Sequence, residues 1–325
     1  MSERPREITL SPALLRVPGW RGPAAVLLVL LALGMLAAAL IGGQSLFLSL
    51  LPPAQVYGTL TMFVRLPPYL LAMTGFMFRH TEAALGDLAP VASPEAIGAV
   101  HHRLAHFRTG DFVWVAVGCV FGLAQNDFVV SLVARGEDGA FLDYVFILGN
   151  VIVWGCVTFL LAWRVRVSRS LTVLGEQVDV DLHHPERLRP FGRIATADIL
   201  VVFGGVAFMP LQSLDAQLRI VNYSYGFAVA AVAGTLLFLL PLLGVHRRVR
   251  AVRAARVEEL VERIDALPGD DLQRLELSLA HLDRIRAVPT WPLDLRLVGR
   301  IFVYVIIPPL AWIAAALVEM GIERL

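Results

Sequence analysis

The chain has 325 residues, 57% of them hydrophobic and only 17% charged, against about 25% charged in an ordinary soluble domain. Its net charge of +1 gives no basic footprint for nucleic acid, so no nucleic-acid partner is expected. All 28 cationic residues are arginine, which excludes the lysine Schiff bases of retinal and pyridoxal phosphate proteins. With the abundance of Ala and Leu, it also points to a GC-rich prokaryotic source.

A bilayer core about 30 Å thick is crossed by about 20 mostly apolar helical residues. In chain order, seven stretches meet that length: about 23–43, 56–78, 112–134, 141–163, 194–214, 222–245 and 298–320. The first follows MSERPREITLSPALLRVPGW and is too long for the apolar region of a signal peptide, so it reads as a retained span. Backbone inside hydrocarbon must satisfy its own hydrogen bonds, so each stretch is expected to be helical. The fold class predicted is therefore all-α, a polytopic membrane protein of seven transmembrane helices.

The arginines orient it. With the N-terminus inside, the inner segments 1–22, 79–110, 164–193 and 246–300 hold 4, 3, 6 and 11 arginines, 24 of the 28. The outer segments hold only Arg135, Arg219 and Arg324, and Arg65 falls within the second span. This bias places the N-terminus inside and the C-terminus outside a cell (inner) membrane. Glu137, Asp138, Asp143 and Asp215 mark the outer loops, and Trp20, Trp163 and Trp291 fall near span boundaries as interface anchors would.

The organisation follows: a six-span bundle over 1–245 with inner loops 79–110 and 164–193, a helical hairpin over 246–297, and a last span in 298–325. PEAIGAVHHRLAHF reads as a short helix opened by Ser93 and Pro94 as cap and first residue. Residues 164–193 extend the fourth helix before a polar turn. HRRVRAVRAARVEELVERIDAL continues the sixth helix by about 30 Å, with Val249, Val252, Val257, Leu260, Val261 and Ile264 at helical spacing. Pro268-Gly269 ends it, Asp270 or Asp271 caps DLQRLELSLAHLDRIRAV, and Pro289 and Pro292 break the chain again. The hairpin reads either as a solvated helix pair on its own chain or as an anchor between subunits.

Ionisable residues inside spans are costly and mark sites. Arg65 and Asp127 lie at matching depth, about 15 and 12 Å below the outer surface, and are expected to pair as structural glue or as part of a gate. Gln125 and Asn126 make the same stretch polar, either as a wet cavity wall or for bonds between helices. Pro67-Pro68 and Pro308-Pro309 predict kinks, the second pair a hinge in the last span. Ala311, Ala314, Ala315 and Ala316 permit close helix approach there, and Glu319 either marks the interface or forms an acidic ring in a symmetric oligomer.

The eight histidines all fall in inner segments. His102 and His106 share one helical face without an evident third ligand, so no metal or other cofactor is expected. Cys119 and Cys156 sit in apolar runs and give no disulfide framework. No P-loop, GxSxG, HExxH or carboxylate pair occurs, and hydrolases of the adiponectin-receptor type need membrane-embedded histidines. Enzyme activity is not expected.

Long inner helix extensions, a helical insert before the last span, and that span closing the chain with its end outside together resemble the seven-transmembrane ion channel superfamily, which includes insect odorant and gustatory receptors. The resemblance is one of plan over nearly the whole chain; the aromatic-rich motif of the insect proteins' last span is absent from RIFVYVIIPPLAWIAAALVEM. LPLLGVHRRVR and PTWPLDLRLVGRIFVYVIIPPLAW also look like stretches of prokaryotic membrane proteins to which no activity is attached. The resemblance implies a homo-oligomer, a tetramer, with the last helix lining a pore. Phe302, Val305, Ile306, Pro309, Trp312, Ala316 and Glu319 would then face the axis and conduct cations, with membrane lipid around the assembly. Two other readings stay open: a secondary transporter of ions or a small solute with its site near Arg65 and Asp127, and a non-transporting scaffold or sensor.

Overall fold

The computed structural model describes residues 53–124, 141–208, 221–267 and 272–293, the backbone of 7–8, and the single positions 299 and 303. These residues are almost wholly helical.

β1 (Glu7–Ile8) precedes α1 (Pro53–Asp87), a helix of 35 residues that runs unbroken through Pro67 and Pro68. α2 (Pro94–Ala105) starts as its sequence predicts: Ser93 is extended at φ −69°, ψ 145°, and its side chain accepts from the Ala96 amide, with Pro94 in the first turn. It ends two residues earlier than expected. His106 turns extended, and β2 (Phe107–Arg108) pairs antiparallel with β1, Ile8 opposite Phe107. Propensity carries a helix through His106 and Phe107, but the strand pairing and the burial of Phe107 override it.

α3 (Thr109–Ala124) begins the predicted third span, whose remainder lies outside the described residues. α4 (Phe141–Gln177) joins the predicted fourth span and its extension into one rod of 37 residues. A 3₁₀ turn, Pro185–Leu188, leads into α5 (Arg189–Val206), which starts before its predicted boundary because Pro190 opens it. α6 (Val221–Asp265) is 45 residues long and passes through Pro241, and α7 (Leu272–Arg286) completes the hairpin.

α4 is the central element. α3, α2 and α6 pack along it, α1 lies against α4 and α5, α6 also packs on α5, and α7 lies on α6. The main core joins Leu88, in the turn after α1, with Leu104, Leu171, Leu174, Phe191 and Leu242 from four helices. A smaller cluster, around Phe63, Leu66, Phe146 and Val153, seals the other end of α1 and α4. Two glycines bring α4 and α6 into backbone contact. A Cβ at Gly244 would stand 1.9 Å from the Thr172 carbonyl oxygen, and one at Gly175 2.7 Å from the Val245 nitrogen.

Two helical stretches among the described residues, Phe146–Gln177 and Gly226–Asp265, are long and apolar enough to cross a membrane. Of their apolar windows, 39% and 44% are buried inside the protein. The seven α-helices described here do not correspond one to one with the seven predicted spans: α2 and α7 are polar-faced and short, and spans one and seven fall outside the described residues, apart from positions 299 and 303.

Candidate functional site

The polar centre of the molecule lies where α1, α4 and α5 meet. Arg164 on α4 donates from Nε to both carboxylate oxygens of Asp198 on α5, at 2.8 and 2.9 Å, and from Nη2 to the Thr81 hydroxyl on α1 at 2.8 Å. Exposure is 1% for Arg164 and nil for Asp198 and Thr81. A desolvated guanidinium and carboxylate are tolerable only together, because either alone would leave a buried charge uncompensated. Arg164 Nη1 is buried without an acceptor among the described residues.

A second pair lies nearby. Arg166 reaches Asp111 at the start of α3 and donates to the His106 carbonyl at 2.9 Å, while the Arg108 amide donates to the same Asp111 carboxylate at 2.9 Å. This pair fastens the extended His106–Arg108 segment to α4. The stretch RVR on α4 thus carries two ion pairs on different faces, toward α5 and toward α3.

An apolar cavity of about 90 Å³, half open to the outside, lies beside Arg164 and is lined by α1, α4, α5 and α6. Leu66, Val153, Val157, Val201 and Ala230 are in its wall, and Arg164 is the one charged side chain among the described lining residues. Thr172 donates to the Leu240 carbonyl and touches Gly244, Gly175 meets Val245, and Arg247 pairs with Glu176. α4 and α6 are therefore in register as about residue i and residue i + 70. The apolar runs 141–163 and 222–245 are staggered along their common direction by about eleven residues, or about 16 Å.

At the far end of the bundle, a wider cavity of about 360 Å³ lies between the Val180–Arg189 turn, Val249 and the segment Val288–Leu293. Trp291 stacks on His246 at 4.2 Å between ring centres. A Cβ at Gly192 would stand 2.4 Å from the Pro292 carbonyl, so this segment is seated on the first turn of α5. In the turn, His184 Nδ1 and the His183 amide donate to the Asp181 carboxylate at 2.8 and 2.9 Å, and these bonds hold that carboxyl below its usual range.

Of the residues singled out in the sequence, Arg65 sits exposed on α1. Gln125, Asn126 and Asp127 lie outside the described residues, as do Phe302, Val305, Ile306, Pro309, Trp312, Ala316 and Glu319. Trp163 is corrected: it is 1% exposed and packs near Phe107, so it is a core residue and not an interface anchor. Trp291 is part exposed and stacked on His246. His102 and His106 stack on each other at 4.2 Å, and His106 Nδ1 donates to the His102 carbonyl.

Sequence reasoning passed over Arg164, Asp198 and Thr81. The arginine count that orients the chain places Arg164 in the inner segment 164–193. The available signal was Asp198, an acidic residue inside the predicted fifth span, which needed a cation from another helix.

Comparison of the chain with protein-family models, curated proteins and solved structures finds no match.

Proposed function

We propose that the chain is a seven-span protein of the cell (inner) membrane, N-terminus inside and C-terminus outside, that assembles into a homotetrameric cation-permeable channel lined by its last helix. The observation that carries this reading is the hairpin of α6 and α7. α6 leaves its apolar stretch as an uninterrupted rod, and α7 lies on its far end with Leu272, Leu277 and Leu279 at 71%, 65% and 45% exposure. Leu272 and Leu279 share one face, seven residues apart. On the inner side these leucines would meet water, and an apolar face there calls for a partner surface. A second copy of the same hairpin is the partner this reading assigns.

The lipid setting has independent support. α3 exposes Phe112, Val113, Trp114, Val117 and Val120, and α4 exposes Tyr144, Leu148 and Ile152. Such a continuous apolar face would aggregate in water and suits hydrocarbon. The stagger of α4 against α6 places Arg164 within the depth of the sixth apolar run. Its pairing with Asp198 is what lets α4 carry an arginine there.

In this account the apolar residues Val305, Ile306 and Pro309 gate by dewetting, and the Glu319 ring favours cations. Purified protein in planar bilayers is expected to pass cation-selective current, with Glu319→Gln lowering the cation-to-anion preference. No current, or selectivity indifferent to this substitution, would contradict the assignment.

One observation favours a second reading, a permease: a buried ion pair beside a cavity is how a solute site inside a membrane bundle is built. Solute uptake abolished by Asp198→Asn with folding retained would select it over the channel.

A further inference from the structure

We propose that the wider cavity, between the Val180–Arg189 turn and the segment Val288–Leu293, binds a free amino acid with an apolar side chain. Its volume of about 360 Å³ falls within the range of small-molecule sites, about 300–1,000 Å³. Both walls are held in place. Arg253 Nη1 donates to the Val288 carbonyl at 3.1 Å, Trp291 stacks on His246, and the Pro292 carbonyl sits against Gly192. Across the cavity, the His183 amide and His184 Nδ1 fasten the turn to the Asp181 carboxylate. The space is therefore formed before any ligand arrives.

Most of the lining is apolar, with Val180, Leu182, Val249 and Leu293 beside the ring of Trp291. Three charged residues stand among the described lining: Asp181, Glu186 and Arg189. Asp181 is already engaged within its own turn. The other two are not. Glu186 belongs to the 3₁₀ turn Pro185–Leu188, and Arg189 is its C-cap in helical conformation. Side chains three residues apart on such a turn lie over one another. Both are exposed, yet they form no ion pair with each other or with another described residue.

This neighbouring pair of opposite charges decides the ligand class. An anion drawn to Arg189 would sit beside Glu186, and a cation drawn to Glu186 would sit beside Arg189. Either is held by one group and repelled by the other. A molecule with an ammonium and a carboxylate on one carbon meets both, through two charge-assisted hydrogen bonds. The remaining wall suits an apolar or aromatic side chain, since a polar one would lose water there without compensation. The conduction path assigned above does not involve this cavity, so the two readings stand or fall separately.

The test measures equilibrium binding of radiolabelled L-phenylalanine to the purified full chain. 2-Phenylethylamine, which lacks the carboxylate, and 3-phenylpropanoate, which lacks the ammonium, are added as competitors. Phenylalanine is expected to bind saturably, one per chain, and about tenfold tighter than either analogue, the worth of one hydrogen bond to a charged group. This ranking is read on the unaltered chain and needs no variant. Arg189→Gln is expected to remove the preference for phenylalanine over 2-phenylethylamine and keep its preference over 3-phenylpropanoate. Glu186→Gln is expected to do the reverse. Thermal midpoints near that of the parent show that both variants fold. No saturable binding, an analogue that competes as well as phenylalanine itself, or variants that keep both preferences would each overturn the assignment.

Discussion

Asp198 and Arg164 meet across 34 residues of chain, and neither alone would be tolerated in their position. Asp198→Asn removes the countercharge from a guanidinium with 1% exposure. It is expected to cost about 3–5 kcal/mol. Replacing both together, Arg164→Met with Asp198→Leu, is expected to cost far less, because apolar residues of similar volume replace the pair without leaving a charge behind. Denaturation of the two variants alongside the parent measures this. A double variant no more stable than the single one would show that the pair is not the coupled unit described. The pair was half legible in the sequence. Asp198 interrupts an apolar run, which is a visible signal. Arg164 stands where such a run ends and reads as an ordinary boundary arginine, because hydropathy along one helix carries no information about the carboxylate facing it from another.

At the scale of elements, helix existence was the most legible feature. Continuous apolar and amphipathic spacing predicted the rods α4 and α6 with their extensions, and Ser93-Pro94 predicted the start of α2 to the residue. What was not legible is depth. The runs 141–163 and 222–245 look equivalent as sequences, yet the packing of Thr172 on Gly244 offsets them. The cause is local sterics: only glycine lets these backbones touch, so the glycine positions set the register and not the edges of the apolar runs. Gly244→Ala is accordingly expected to destabilise by about 1–3 kcal/mol, since its Cβ must displace the Thr172 carbonyl. Gly86→Ala, on a helix with nothing within 4 Å of the new Cβ, is expected to stabilise by about 0.5–1 kcal/mol through backbone entropy. Thermal or denaturant melts of both variants check the contrast. Equal effects would mean that the α4–α6 approach is not the constraint.

For the molecule as a whole, composition and arginine placement carry the membrane reading, while the exposed leucines of α7 carry the assembly. On either aqueous side of a bilayer the leucine face of the hairpin meets water; in the proposed orientation that side is the inner one. The residues assigned to the pore, from Phe302 to Glu319, lie beyond the described part of the chain, so the assembly must be observed directly. Imaging single particles of the purified full chain does so. The account predicts a fourfold ring, the hairpins of α6 and α7 meeting beneath the membrane and the 298–320 helices around the axis. A monomeric particle, or a ring whose axis is lined by any other helix, would contradict it.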